Sequence, residues 1–207
     1  MRDALCQLGA SLHRRGYTHG ATGNISIRQG DGFLMTPTGV RLDSLAPERL
    51  SALDPSGRHC GGDPPTKEAA LHLAMYASRP KAKAIVHLHG SQSVALSLLA
   101  DIDPEDVLPA YTAYFVMRVG RLRLLPYFVP GDLSLAKAVG EASQHAYALL
   151  LAHHGPVVAG SSLEAAADTA EELEQTAAIH LRVHGKACRC LSVAQREELL
   201  TRFPQSV

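Results

Sequence analysis

The chain predicts a layered α/β sandwich built on a mixed or mostly antiparallel sheet. Three observations carry this. Segments of helical and strand periodicity alternate along the 207 residues. Glycine turns such as Gln29-Gly30-Asp31-Gly32 sit between strand segments and imply hairpins rather than long crossovers. Apolar residues make up 46% of the chain, enough for a packed core. A single domain over 1–207 is expected, with no internal repeat or low-complexity linker.

Residues 3–15 place Leu5, Leu8, Leu12 and Arg15 on one side of an amphipathic helix that Gly16 closes. Residues 24–28 alternate as a strand, 33–36 return as a second, and Thr36-Pro37-Thr38-Gly39 turns again. A short strand at 50–53 precedes a glycine- and proline-rich loop over 54–65. Thr66 is the expected N-cap of a helix through Ser78, with Leu71, Ala74 and Met75 inward. A strand at 84–89 and a helix at 91–100 follow. Around Pro104, Pro109, Pro126 and Pro130, residues 114–117 and 121–125 read as short strand-like pieces. Gly131-Asp132 opens a helix through His145, and 147–152 with 157–159 form a strand or hairpin. Ser161 and Glu164 fit a capping box for a long helix to about His184, and 192–203 is a last short helix.

Composition narrows the function. Lysine plus arginine and aspartate plus glutamate number 20 each, so no global field favours nucleic acid or an acidic membrane surface. No apolar run reaches membrane-span length, and the N-terminus has no signal-like stretch. Cys6, Cys60, Cys188 and Cys190 form no Cys-x-x-Cys pair, which fits reduced thiols in the cytoplasm.

The chemistry is concentrated in three separated fragments: Glu68, the alternating pair His87-Leu88-His89, and His154 in His153-His154-Gly155. In a strand, residues two apart share a face, so His87 and His89 can address one ion while Val86 and Leu88 face the opposite layer. Three imidazoles with an open position make a catalytic rather than a structural donor set, and imidazole suits zinc and its first-row neighbours. His72, four residues after Glu68, is expected as a packed histidine. His153, His180 and His184 are expected outside the site, and Glu171, Glu172 and Glu174 as a solvated charge run.

Together with Thr22-Gly23-Asn24-Ile25-Ser26, Thr36-Pro37-Thr38-Gly39 and Thr66-Lys67-Glu68…Leu71-His72, these fragments resemble the class II aldolase/adducin family from about residue 3 to residue 185. The resemblance implies a three-layer α/β/α sandwich and a homotetramer. It implies one divalent ion on His87, His89 and His154, with Glu68 as acid/base or fourth ligand. Zinc is the first expectation; manganese, cobalt and iron also accept three imidazoles. A substrate phosphate is implied against Gly23, Asn24, Thr38, Gly39, Thr66 and Lys67. The residues support that independently. Glycine turns let N–H groups approach an anion closely, and a helix starting near Lys67 adds its dipole to the lysine charge.

Within the family, Thr66-Lys67-Glu68, the stretch from Ala110 to Gly120, and Pro126-Tyr127…Pro130-Gly131-Asp132 are similar to the branch that decarboxylates 3-oxo-tetronate 4-phosphates. That likeness makes Tyr114 the proton donor and a small phosphorylated sugar acid the substrate. Dihydroxyacetone phosphate and carbon dioxide then arise through an enediolate. Gly90 departs from the serine usual in this branch, and Arg118 reads as a carboxylate partner or an ordinary ion-paired arginine. The alternatives are a fuculose- or rhamnulose-type phosphate aldolase, a pentulose-phosphate 4-epimerase, a methylthioribulose-phosphate dehydratase, or a non-catalytic adducin-like domain. Retention of all four metal-site residues speaks against the last.

Overall fold

The computed structural model describes residues 1–204 and sets eight strands into one sheet between helical layers. In chain order the elements are helix α1 (Arg2–Arg14), strands β1 (Asn24–Gln29), β2 (Gly32–Met35), β3 (Ser51–Leu53) and β4 (His59–Gly61), helix α2 (Ala69–Ser78), strand β5 (Ala84–His87), and helices α3 (Ser91–Leu96) and α4 (Ala113–Arg118). Strand β6 (Arg123–Leu125), helix α5 (Leu133–Ala142), strands β7 (Ala148–Leu151) and β8 (Gly155–Gly160), and helices α6 (Leu163–Val183) and α7 (Val193–Arg202) complete the fold. The sheet runs β4-β3-β2-β1-β5-β8-β7-β6 and is antiparallel except where β6 lies beside β7. The mixed, mostly antiparallel α/β/α sandwich is as expected.

Register fixes the two faces. Asn24 pairs with His87, Ser26 with Ile85, and Ile85 with Ala159, so these residues share one face; Ile25, Val86 and Val158 share the other. Helix α2 covers the first face, where His72 meets Ser26, and α5 packs beside it through the Ser78 hydroxyl on the Gly140 carbonyl. Helix α6 covers the second face, since the backbone of Ala166 stands where a Cβ on Gly160 would be. With both faces covered, β5, β7 and β8 contain no exposed residue, which explains their apolar sequences.

Several expected elements shift. Residues 114–117 are not strand but part of α4, which starts where the Thr112 hydroxyl accepts the Phe115 N–H at 3.0 Å. The aromatic and β-branched composition favours a strand, but the cap and packing against α6 and α7 override it. Thr66 does bond as a cap, its hydroxyl accepting the Glu68 N–H at 3.3 Å and its carbonyl the Ala69 N–H at 3.1 Å, but this makes a single turn and helix α2 itself begins at Ala69. Lys67 therefore precedes the helix. The loop expected over 54–65 contains the short edge strand β4, and α3 and α5 end earlier than expected, at Leu96 and Ala142. Ser162, not Ser161, caps α6, its hydroxyl accepting the Ala165 N–H.

The acidic run on α6 is not simply solvated. Glu171 pairs with Arg15, and Glu172 accepts from the hydroxyls of Thr112 and Thr176. Glu174 accepts from the Gln92 N–H (2.8 Å), the Ser93 N–H (2.9 Å) and the Ser93 hydroxyl (2.6 Å), and so caps α3 from outside. A Cβ at position 90 would stand 2.3 Å from the Glu174 Oε2 atom, so any side chain there requires this carboxylate to move. Gly90→Ala should expel this carboxylate and cost about 1–2 kcal/mol of stability, as loss of a cap does. Glu174→Ala should cost a similar amount. In urea unfolding the double variant should lose far less than the sum, and additive losses would show that the two residues are uncoupled.

Candidate metal centre and cavity

Four elements meet at one end of the sheet. His87 is the last residue of β5, His154 lies in the β7–β8 turn, Glu68 is the N-cap of α2, and His89 follows β5 by two residues. The Leu88 N–H still donates to the Pro156 carbonyl at 3.2 Å, so the chain stays extended past the assigned strand and the His87/His89 alternation holds. The His87 Nε2 lies 3.2 Å from the His154 Nε2 and 3.1 Å from the His89 Nε2. The Glu68 Oε2 is 3.3 Å from the His87 Nε2, and its Oε1 is 3.2 Å from the His154 Nε2. All four donor atoms lie within 4.8 Å of one another, and no other such group occurs among the described residues.

This donor set fits a divalent cation on structural grounds. The His87 Nδ1 sits 2.8 Å from the Pro156 carbonyl, which can only accept, so Nδ1 carries a proton and Nε2 turns its lone pair inward. Nitrogen lone pairs facing each other at such distances repel unless a proton or cation lies among them. The Glu68 Oε1 is buried without a hydrogen-bond donor. Burial pushes the Glu68 carboxyl up, but positive charge and N–H groups on the imidazoles of His87 and His154, when no cation takes their place, outweigh it and hold it far below the usual carboxylate range. Burial pushes His87 down, and Glu68 more than restores it. Burial and the two neighbouring imidazoles push His89 to about 3. One carboxylate compensates one positive charge here, not three.

Behind Glu68 a polar seam runs between β1 and α2. The Asn24 Nδ2 donates to the Glu68 Oε2 at 2.8 Å, and its Oδ1 meets the His72 Nε2. The His72 Nδ1 lies 2.6 Å from the Ser26 hydroxyl, itself 3.1 Å from the Tyr76 hydroxyl. His72 is thus packed, as expected, but also bonded on both nitrogens. Its i+4 spacing from Glu68 was the available signal, and the partner Asn24 was not visible in it.

The residues expected around a phosphate come together. Gly23, Asn24, Thr38, Gly39, Thr66 and Lys67 line one cavity of about 280 Å³ with Glu68, His89 and His154. Gly23 adopts φ 76°, and a Cβ there would press within 3.0 Å of the His87 carbonyl and the Thr18 hydroxyl. Lys67 is exposed at the rim. Pro130 also lines the cavity, which brings the 126–132 loop to the site. Tyr114 does not join it. Its side chain is 60% exposed and lines surface grooves along α6 with Arg118. Arg118 pairs with Asp168 at 2.6 Å, the ordinary ion-pair reading. His180 bonds the Tyr111 hydroxyl at 2.9 Å and His184 contacts Asp101, both outside the metal cluster.

Burial and the nearby His87 push His72 to about 3. The unfolded chain binds this proton near about 6.5, so stability present above that pH is lost as pH falls toward 3. In metal-free protein, unfolding free energy should drop between pH 7.5 and pH 5 by about 2 kcal/mol more in the wild type than in His72→Gln. Equal drops would mean that His72 accepts a proton in the folded state.

The chain matches the model of the class II aldolase and adducin N-terminal domain over residues 3–181. A 3-oxo-tetronate 4-phosphate decarboxylase of Haemophilus influenzae is 45% identical over 202 residues, which is 97% of this chain and 96% of that protein. An L-fuculose phosphate aldolase of the same organism is 33% identical over 195 residues, 93% of this chain and 88% of that one. The crystal structure of YgbL from Escherichia coli superposes with a TM-score of 0.93 at 41% identity, covering 96% of both chains. With the family's donor types gathered at one end of its sheet and the match running through nearly all of its elements, the chain belongs to the class II aldolase and adducin family.

Proposed function

We propose that this protein is a carbon–carbon lyase that decarboxylates a 3-oxo-tetronate 4-phosphate to dihydroxyacetone phosphate and carbon dioxide. The observation that carries the reading is near full-length likeness, at 42–45% identity, to relatives named for that reaction, against 33–35% for L-fuculose phosphate aldolases. We read the whole of 1–207 as one domain, working as a cytoplasmic homotetramer. Among the described residues no helix is long and apolar enough to cross a membrane.

The substrate is a β-keto acid with its phosphate on C4. Breaking the C1–C2 bond releases carbon dioxide and leaves the electron pair in a C2–C3 enediolate, with negative charge on the C3 oxygen. A proton added at C2 completes dihydroxyacetone phosphate. A divalent ion on His87, His89 and His154, with zinc assigned first and manganese, cobalt or iron also suited, supplies Lewis acidity at the oxygen that gains charge. The backbone at Gly23 and Gly39, the side chains of Asn24, Thr38 and Thr66, and the Lys67 ammonium hold the phosphate. That fixes the reacting end and commits remote binding energy to it. Glu68, kept ionised by its surroundings, completes the metal site and takes or returns a proton. Tyr114 lies outside the cavity of its own chain, so we assign it as proton donor in the cavity of a neighbouring copy.

Metal-loaded protein incubated with 3-oxo-tetronate 4-phosphate should release carbon dioxide and dihydroxyacetone phosphate in equal amounts. Chelator should stop both and added divalent metal restore both. Cleavage of L-fuculose 1-phosphate with no decarboxylation would move the protein to the aldolases. Glu68→Gln should lower kcat by about 10²-fold or more while histidine-bound metal is retained. Turnover surviving loss of the metal in that variant would refute the assignment. Tyr114→Phe should lower kcat. Mixing it with Glu68→Gln protomers should restore part of the activity if the tyrosine acts between copies, and no recovery would place its action elsewhere.

A further inference from the structure

We infer that His72 is a positioning residue for Glu68: as the neutral Nε2–H tautomer, it holds the Asn24 amide in the one orientation that donates to the carboxylate. The inference builds on the assignment of Glu68 to the metal site, and no step of the proposed reaction uses His72 itself.

Donors and acceptors alternate along the seam from Glu68 to Ser26. An ionised carboxylate only accepts, so the Asn24 atom 2.8 Å from the Glu68 Oε2 is Nδ2. The other end of the same amide, Oδ1, then faces the His72 Nε2. A carbonyl oxygen also only accepts, so Nε2 carries the proton. A neutral imidazole has one such proton, which leaves Nδ1 bare to accept from the Ser26 hydroxyl at 2.6 Å, the shorter of the two contacts open to that proton, the other being the Tyr76 hydroxyl at 3.1 Å. The order of donation is Ser26 to His72 to Asn24 to Glu68. The opposite tautomer would turn the Asn24 carbonyl toward the carboxylate, where two acceptors repel.

Burial makes this polarity matter. Ser26 and His72 have no exposed surface, and Asn24 and Glu68 are 5% and 7% exposed, so a misdirected donor finds little water to replace its partner. With no exposed surface, His72 would lose the solvation a charged imidazole needs, which favours its neutral form. Asn24 holds one oxygen of Glu68 from the β1 side while His87 and His154 approach from the other. The carboxylate therefore has one orientation available. Groups that orient a metal ligand in this way influence affinity for the ion without touching it.

Two measurements test this, and neither reads turnover, so a failed decarboxylase assay leaves the inference standing on its own. In protein labelled with ¹⁵N-histidine, long-range proton–nitrogen correlation should show His72 protonated on Nε2 with Nδ1 bare, at pH 7 and still at pH 5. An Nδ1–H tautomer or an imidazolium would overturn the inference, and this readout needs no variant that must fold. Cobalt(II) affinity, measured by competition with a chelator, should fall about 10- to 100-fold in His72→Leu. In His72→Gln, whose amide still offers an N–H toward Asn24, it should stay within about threefold of the wild type. Equal losses in the two variants, or no loss in the leucine variant, would reduce His72 to a packing residue and overturn the proposal.

Discussion

A carboxylate taken out of water has to be compensated, and the compensation of Glu68 organises this end of the molecule. It depends on a match between two repeats. Two residues along a strand advance about 6.7 Å, and four along a helix advance about 6 Å. Asn24, Ser26 and Arg28 on β1 can therefore meet Glu68, His72 and Tyr76 at α2 one for one. Asn24 donates to Glu68, Ser26 meets His72, and the Arg28 guanidinium donates to the Tyr76 carbonyl at 2.8 Å while lying 4.7 Å from the tyrosine ring. The seam sets the height of α2 over the sheet, and that height brings the carboxylate level with the end of β5.

The histidines are delivered by chain ends that the sheet holds in register. The Pro156 carbonyl accepts from both the Leu88 N–H and the His87 Nδ1–H, so one backbone oxygen ties the end of β5 to the start of β8. Proline at 156 has no N–H to place in the ladder, yet its carbonyl is the atom the site requires. The adjoining turn runs through His153 at φ 59°, a left-handed conformation unusual for a residue other than glycine. The Ser97 hydroxyl accepts the His153 N–H at 3.1 Å, so the turn that presents His154 is held from the α3 side as well. Local strain at a position that fixes a functional side chain is a common arrangement.

These constraints leave a chemically versatile centre. Three imidazoles beside a single carboxylate leave room for a doubly charged ion, and the cavity lined by Gly23, Asn24, Thr38, Gly39, Thr66 and Lys67 opens directly onto them. Loss of carbon dioxide and cleavage to an aldehyde both place charge on the same ketone oxygen, so one donor set serves either reaction. The choice falls to groups that contact the departing fragment. Pro130 of the 126–132 loop lines the cavity together with His89 and His154 and is positioned to take part in it.

The amino-acid sequence by itself determined the layered class, most of the strands and helices, and the donor set. Those depend on local properties: alternation along β1 and β5, the glycine turns, the Asp132 cap of α5, and the His-x-His spacing. It misread 114–117 as strand because aromatic and β-branched residues carry the same local signal wherever they pack, and only the contacts with α6 and α7 make them helical. It made Thr66 the N-cap of α2, and the Thr66 hydroxyl does accept the Glu68 N–H, but the helix is regular only from Ala69. The work of Glu174 on α3, the close approach of position 90 to its carboxylate, the bonds that orient His72, and the position of Tyr114 outside the cavity were decided by tertiary structure alone. The reason is separation along the chain. Asn24 and Glu68 lie 44 residues apart, His87 and His154 lie 67, and Glu174 stands 81 from Ser93. No local periodicity encodes which distant acceptor a buried donor will meet; that is settled when the sheet register and the helical layers close around it.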